Sequence, residues 1–492
     1  MADTKIAEAA MKVFTLAGLR ALATTMLAAS LLAACGGGGS NAGACVSGSA
    51  AVCAGDNSTP ATPAPVASTG SDAVANVCTA DGMKAFTRAY LDEVYLWYGE
   101  IPAVNAASYS NLDDYFYALL TPQLDATGQL KDRFSFVVSS ADADSLLTGN
   151  NIGYGVRWET DAQGRQRVAF VDAGSPALAA GLVRGGELVQ VLTPGASWFP
   201  NALATITFTY RDAPGGLARS ITLTSAPVQE DPVPLVQTLT SGAGRKVAYL
   251  LFNAHTSGAQ DQLIPAVQSA QAAGVQDLVL DLRYNGGGYL YTAMTLGSMI
   301  ASSAADGRVF EQLRFNDKRG ADTEASTTYF SGAVQYGEPG SPEGTLLPRL
   351  ALPRVFVLTT GGTCSASEAV INSLRGVGVE VVIIGGTTCG KPYGFSRRDN
   401  CGTAYFPIEF QGVNAVGFGD YASGFAPTCS LPDDFDHALG NQSERLLSAA
   451  LKYIDTGACP APTAAAPLSS RSMSTAPQST SMRGKVLLPP RR

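Results

Sequence analysis

Residues 245–385 alternate between unbroken apolar runs and helical patterns, and this alternation constrains the fold more than any other feature of the chain. KVAYLLFNA (246–254), DLVLDLRY (277–284), RVFVLTT (354–360) and EVVIIGG (380–386) read as strands. Between them, GAQDQLIPAVQSAQAAG, YLYTAMTLGSMIA and SASEAVINSLRG read as helices, the first ended by Gly274. The strands are apolar at successive positions rather than at every second one. That pattern is expected when helices cover both faces of a sheet. An α/β domain follows.

The chemistry concentrates in the loops after these strands. In GGTCSASEAV (361–370) a buried strand gives way to a helix, and Ser365 stands at the turn. There the amide of Ala366 is placed to donate to a developing oxyanion, and the helix end favours negative charge. Serine also leads the N-cap preferences, so taken alone Ser365 reads as a cap, with Ser367 and Glu368 as residues of the helix start. Lys391 follows the next buried strand, in GGTTCGKPYG. A strand–helix–strand unit returns to the same sheet edge, so Ser365 and Lys391 are expected to meet. Desolvation would keep the Lys391 amine neutral and able to take the serine proton. Three glycines follow DLRYN, and an amide of Gly286 or Gly287 is the second candidate oxyanion donor. Asp281 and Arg283 read as braces of the strand end.

Only two histidines occur, His255 and His437. Either is a conceivable base for serine, His437 with Asp434 or Asp436 beside it in sequence, and neither reads as a metal ligand. No Cys-x-x-Cys pair is present, and no metal site is expected.

Residues 150–225 resemble a PDZ domain of the circularly permuted kind found in bacterial proteases. The ordered set is GYGV, then VDAGSPALAAGLVRGGELVQV, in which Ser175 caps a short helix that starts at Pro176. Gly153, Tyr154, Gly155 and Val156 stand where such domains capture a C-terminal carboxylate on backbone N–H groups. Arg184-Gly185-Gly186-Glu187 departs from the common RGD. With DLRYNGGG, CSASEAV and TTCGKPYG following in this order, residues 80–455 resemble the carboxy-terminal (tail-specific) processing protease family. The resemblance implies Ser365 as nucleophile and Lys391 as base, polypeptide substrates with free C-termini, and no cofactor. Some members carry a glutamine four positions after the lysine to orient it; here that position is Phe395. The expected fold class is α/β and α+β multidomain: an N-terminal helical segment, a PDZ-like β-rich domain, and an α/β protease core with a mixed, crotonase-like sheet.

The chain start reads as an export signal, in which Lys12 and Arg20 accompany an apolar run. Leu32-Ala33-Ala34-Cys35 resembles a bacterial lipobox, which implies lipidation of Cys35 and a place in the bacterial cell envelope, facing the periplasm. No acidic retention signal follows Cys35, which favours the outer membrane. The expected organisation is signal 1–35, flexible linker 36–77, helical region 78–145, PDZ-like domain 146–230, protease core 231–460 and disordered tail 461–492. Without Cys35, eight cysteines remain, an even number that fits disulfides in an exported chain, with Cys45–Cys53 and Cys389–Cys401 as plausible local loops. The net charge is −8. With no basic stripe in view, nucleic acid is excluded as a partner. Oligomeric state is not legible. The competing functions are a catalytically silent peptide-binding scaffold and a serine esterase.

Overall fold

The computed structural model describes residues 70–198, 200 and 202–461, with the backbone of 485–487. The signal, Cys35, Cys45 and Cys53 lie outside the described residues, as does most of the tail. Residues 485–487 differ from the structureless tail expected, since they are a strand. The last linker residues differ too: Ser71–Val74 form a 3₁₀ turn, and the Ser71 hydroxyl donates to Glu93 at 2.7 Å.

The central sheet is built from β1 (Leu235–Thr240), β2 (Lys246–Leu251), β3 (Asp277–Asp281), β5 (Arg354–Thr359), β6 (Glu380–Gly385) and β8 (Cys429–Ser430). Its order is β8-β6-β5-β3-β2-β1. All neighbours run parallel except β1, which is antiparallel to β2 and makes the sheet mixed. Two shorter strands lie off this sheet, β4 (Gly287–Tyr289) and β7 (Tyr393–Gly394). Residues 485–487 form β9, which pairs with β4 in parallel.

The unbroken apolar runs follow from the two cores. Ala248, Leu250, Leu278, Leu280, Val355, Val357, Val381 and Ile383 face one side. They pack on α1 (Ala259–Ala272), α2 (Leu290–Ile300) and α3 (Ala366–Gly376). The alternate residues Val247, Tyr249, Val279, Phe356, Leu358, Val382 and Ile384 face α4 (Arg445–Thr456). Each Val, Leu, Ile or Phe among them contributes about 1.5–3 kcal/mol by leaving water. Because β3, β5 and β6 are adjacent and parallel, the loops at their carboxyl ends open on one edge, where sites of open α/β sheets form.

In segment 146–230, strands Val156–Thr160, Gln166–Val171, Glu187–Val191, Thr205–Arg211 and Arg219–Thr224 form a five-stranded antiparallel sheet. A short helix, Pro176–Ala179, is capped by Ser175, whose hydroxyl accepts from Leu178 N at 3.2 Å. Upstream, Phe86, Tyr90, Val94 and Tyr95 of the helix Ala80–Val94 and its end are buried. They share a core with Phe116, Phe395, Tyr405 and Phe406.

The disulfides are Cys78–Cys401, Cys364–Cys389 and Cys429–Cys459. The expected Cys389–Cys401 loop does not form. Cys389 lies on the turn after β6, whereas Cys401 turns a hairpin (Arg398–Asn400 with Thr403–Phe406) beneath the N-terminal helices. The first bridge joins segments 323 positions apart, the second joins the turns after β5 and β6, and the third ties β8 to the segment just after α4. No described helix is long and apolar enough to cross a membrane.

Candidate active site

Ser365 is the residue before α3, with φ +64° and ψ −119°. A non-glycine residue in this region costs of order 1–3 kcal/mol and persists only where its surroundings over-determine it. Here they do. Cys364 N donates to Asn285 O at 3.1 Å, Ser367 N to Cys364 O at 3.1 Å, and Ala369 N to Ser365 O at 2.8 Å. Thr363 Oγ1 donates to Leu282 O at 2.8 Å, and Thr360 Oγ1 donates to Arg283 O. The turn is thus laced to the end of β3. Ser365 is 1% exposed. Its Oγ faces the start of the helix in a capping-box arrangement, but it completes no hydrogen bond with a described residue. The hydroxyl stays uncommitted while the cap is served by Glu368.

Glu368 joins this turn to the one after β6. Its Oε2 accepts from Ser365 N and from Lys391 N, each at 2.9 Å. Its Oε1 accepts from Gly390 N at 2.9 Å and from Thr388 Oγ1 at 2.6 Å. Burial pushes the Glu368 carboxyl above its ordinary value, and these four donors pull it partly back. The Cys364–Cys389 disulfide makes a second tie, one residue before Ser365 and two before Lys391. The sulfurs beside Glu368 are thereby bonded to each other, so this cluster offers no thiolate to a metal.

Lys391 is also 1% exposed. Its Nζ lies 4.0 Å from the centre of the Phe395 ring and 5.4 Å from that of Phe134. The position four residues after the lysine therefore presents an aromatic face. Phe134 comes from the N-terminal segment, which packs against residues 395–408.

The glycine loop closes the third side. Gly287 has φ +99° and Gly288 +141°, conformations open to glycine alone at low cost. A Cβ on Gly287 would lie 2.8 Å from Ser365 Cβ and 3.0 Å from Ala366 N, so only glycine lets the loop approach the serine this closely. Of the two expected second oxyanion donors, Gly287 is already engaged: its N–H donates to Asn285 Oδ1 at 2.9 Å. That leaves Gly286 beside Ala366. Asn285 was not singled out in the sequence, yet it holds the loop from both ends, donating through Nδ2 to Phe252 O at 3.0 Å. Its carbonyl accepts from Cys364 N and, at 3.2 Å, from Ser367 Oγ.

Among the described residues, neither histidine is hydrogen-bonded to Ser365 Oγ. His255 is buried beside Ser367, Nε2 to Oγ 3.3 Å, and desolvation lowers its pKa to about 3. So weak a base is ill-matched to neutral-pH proton abstraction. His437 pairs through Nδ1 with Asp434 at 2.8 Å. The Arg283 guanidinium is buried between Asp281 and Glu444 and also reaches Asp433 at 2.8 Å, which makes it a brace of the strand end.

In segment 146–230, Gly153 ends a strand paired with Ala226–Gln229, and Val156 begins the next. Tyr154 is buried against Trp198. Gly155 has φ +70°, and a Cβ there would meet Ser175 Cβ at 2.1 Å. Arg184, the departure from RGD, donates to Tyr284 Oη at 2.7 Å and to Asp434 O at 2.6 Å. It therefore ties this segment to the residue just before the glycine loop.

Two family models match the chain: peptidase family S41 over residues 246–399 and the peptidase S41 N-terminal domain over 82–136. The first spans the glycine loop, Ser365 and Lys391. No curated protein matches the chain. Among solved structures, a protein assigned as an S41 protease from Bacteroides fragilis NCTC 9343 is 24% identical, with TM-score 0.56, covering 75% of this chain and 97% of that one. The photosystem II D1 C-terminal processing protease is 19% identical, with TM-score 0.46, covering 76% and 99%. The first of these shares the fold. The chain thus carries two matched S41 domains, the N-terminal one before the peptidase one, on a fold shared with the first of these structures.

Proposed function

We propose that the chain is an envelope serine endopeptidase that cuts polypeptides near or from their C-termini through a Ser365/Lys391 dyad. The carrying observation is the double tie between the two turns: one Glu368 oxygen shared by the amides of Ser365 and Lys391, and the Cys364–Cys389 bond beside it. In this reading Ser365 Oγ attacks the scissile carbonyl carbon while Lys391 Nζ takes its proton. The amides of Ala366 and Gly286 receive the oxyanion. Lys391 then gives the proton to the leaving amine, and water hydrolyses the acyl-enzyme by the same route in reverse. Burial disfavours the ammonium form of a lysine, which supports Lys391 as base. Segment 146–230 acts as a PDZ-like receptor, with the loop Gly153–Val156 taking the substrate carboxylate. Lipid on Cys35 anchors the protein in the envelope facing the periplasm, at the outer membrane.

The test is cleavage of an unfolded polypeptide by the wild type, Ser365→Ala and Lys391→Ala. Each substitution should lower kcat by about 10³-fold or more; undiminished cleavage by either would remove that residue from the mechanism. Phe395 favours a second reading, a silent peptide-binding scaffold, because no hydrogen-bonding side chain stands at that position. Binding of C-terminal peptides with no cleavage by wild type would select it.

A further inference from the structure

The described part of the C-terminal tail lies in the candidate cleft. β9 runs parallel to β4, with Lys485 opposite Gly287, Val486 opposite Gly288 and Leu487 opposite Tyr289. The other edge of β4 is taken by His255: its amide donates to Gly287 O at 3.1 Å, and Tyr289 N donates to His255 O at 2.8 Å. Without the tail, therefore, β4 presents one open edge, a template for an added strand. Gly287 packs on Ser365. β9 also lies against β7, which starts two residues after Lys391. Whatever occupies this edge passes between the glycine loop and the lysine turn.

The tail sequence suits the place. Residues 486–488, VLL, form its one run of large apolar side chains, set between a Pro-, Ser-, Thr- and Ala-rich stretch and Pro489-Pro490. About two dozen residues separate it from the last described residue of the core. Fully extended, these reach roughly 75 Å, ample to return to the sheet edge.

We propose that segment 485–487 is an intramolecular occupant of the substrate strand position, and that polypeptide substrates bind by displacing it. The proposal rests on the reading of Ser365 as nucleophile only for where substrate lies. Backbone pairing carries the affinity, so the edge accepts extended polypeptide of varied sequence, added parallel to β4. A tethered strand competes at an effective concentration near 1 mM. Against a free strand binding at about 100 μM, that raises the apparent KM about tenfold.

The test uses the full chain with Val486→Pro, which cannot sit as a paired strand residue, and a chain ending at residue 461. In the Ser365→Ala background, a fluorescent peptide of residues 480–492 should bind both altered chains about tenfold more tightly than the unaltered full chain. In the active background both should show about a tenfold lower KM for an unfolded polypeptide with kcat unchanged, and added peptide should restore the higher KM. Equal peptide affinity for all chains, or an unchanged KM, overturns the proposal. Because the binding arm needs no turnover, its failure is separable from a failure of the Ser365/Lys391 mechanism.

Discussion

The amides of Ser365 and Lys391 donate to the same atom, Oε2 of Glu368, each at 2.9 Å. The two nitrogens therefore lie within about 6 Å of each other, at two ordinary hydrogen-bond lengths. A carboxylate accepts four ways and donates none, so one buried acid can serve donors from two loops at once.

Glu368→Gln replaces one accepting oxygen with an NH₂ group that faces other donors. The two turns should part slightly, and misplacement near 1 Å costs about 10²-fold in rate. The expected result is a kcat about 10²-fold lower with KM within a few-fold, measured well below the melting temperature. A variant that melts earlier but keeps full kcat while folded would reduce Glu368 to a structural cap.

The Cys364–Cys389 bridge makes the same connection covalently. Replacing both cysteines by alanine should lower stability by about 3 kcal/mol, the usual order for a bridge closing a loop of this size. It should also cut kcat at least tenfold. The comparison is Cys429→Ala with Cys459→Ala, which opens a bridge of similar span, 30 residues against 25, on the opposite side of the sheet from α3. Equal kcat losses in the two pairs, read by steady-state kinetics beside chemical denaturation, would deny the first bridge a positioning role.

What was legible in the sequence was what local pattern carries. Consecutive apolar residues announced a sheet covered on both faces, and Ala248 and Tyr249 indeed point into different cores. Parallel topology then brought Ser365 and Lys391 to one edge. What was not legible depends on contacts across long separations. Glu368 reads locally as an ordinary helix-start acid three places after a serine, and nothing near it foretells partners at 388–391. Asn285 looks like a turn residue until its amide is seen to bridge Gly287 and Phe252. Phe134 reaches Lys391 from another segment altogether. Cysteine pairing failed for the same reason, because sequence proximity favoured Cys389–Cys401 over the tertiary partners.

Glu311 gives a test of the core through pH. It is buried, and desolvation raises its pKa from 4.5 to about 8. Its proton is held more tightly in the folded chain than in the unfolded one. The wild type should therefore lose stability as pH rises from about 4.5 to 8 and change little from this group above that. Glu311→Gln mimics the protonated acid. It should stabilise the protein by about 3 kcal/mol at pH 7 and by almost nothing at pH 4. Urea unfolding at both pH values checks this; a variant no more stable at pH 7 than the wild type would mean that Glu311 is not held neutral.

Phe395 places its ring face 4.0 Å from Lys391 Nζ. An aromatic face attracts an ammonium by about 0.5–2 kcal/mol, depending on desolvation, and it does little for a neutral amine. If Lys391 is the base, the ring works against its active form at low pH. Phe395→Leu should then move the acidic limb of the kcat/KM profile to lower pH by about half a unit to one and a half units, since one unit corresponds to 1.36 kcal/mol. The rate near pH 7 should rise accordingly. The substitution also removes packing against Phe136 and Phe406, so it should lower the melting temperature, and the profile is best taken at low temperature. Phe395→Gln offers the amine a hydrogen-bond acceptor instead, and should raise kcat without reproducing the leucine shift. An acidic limb that stays put in both variants would show that the protonation governing the rate is not that of Lys391.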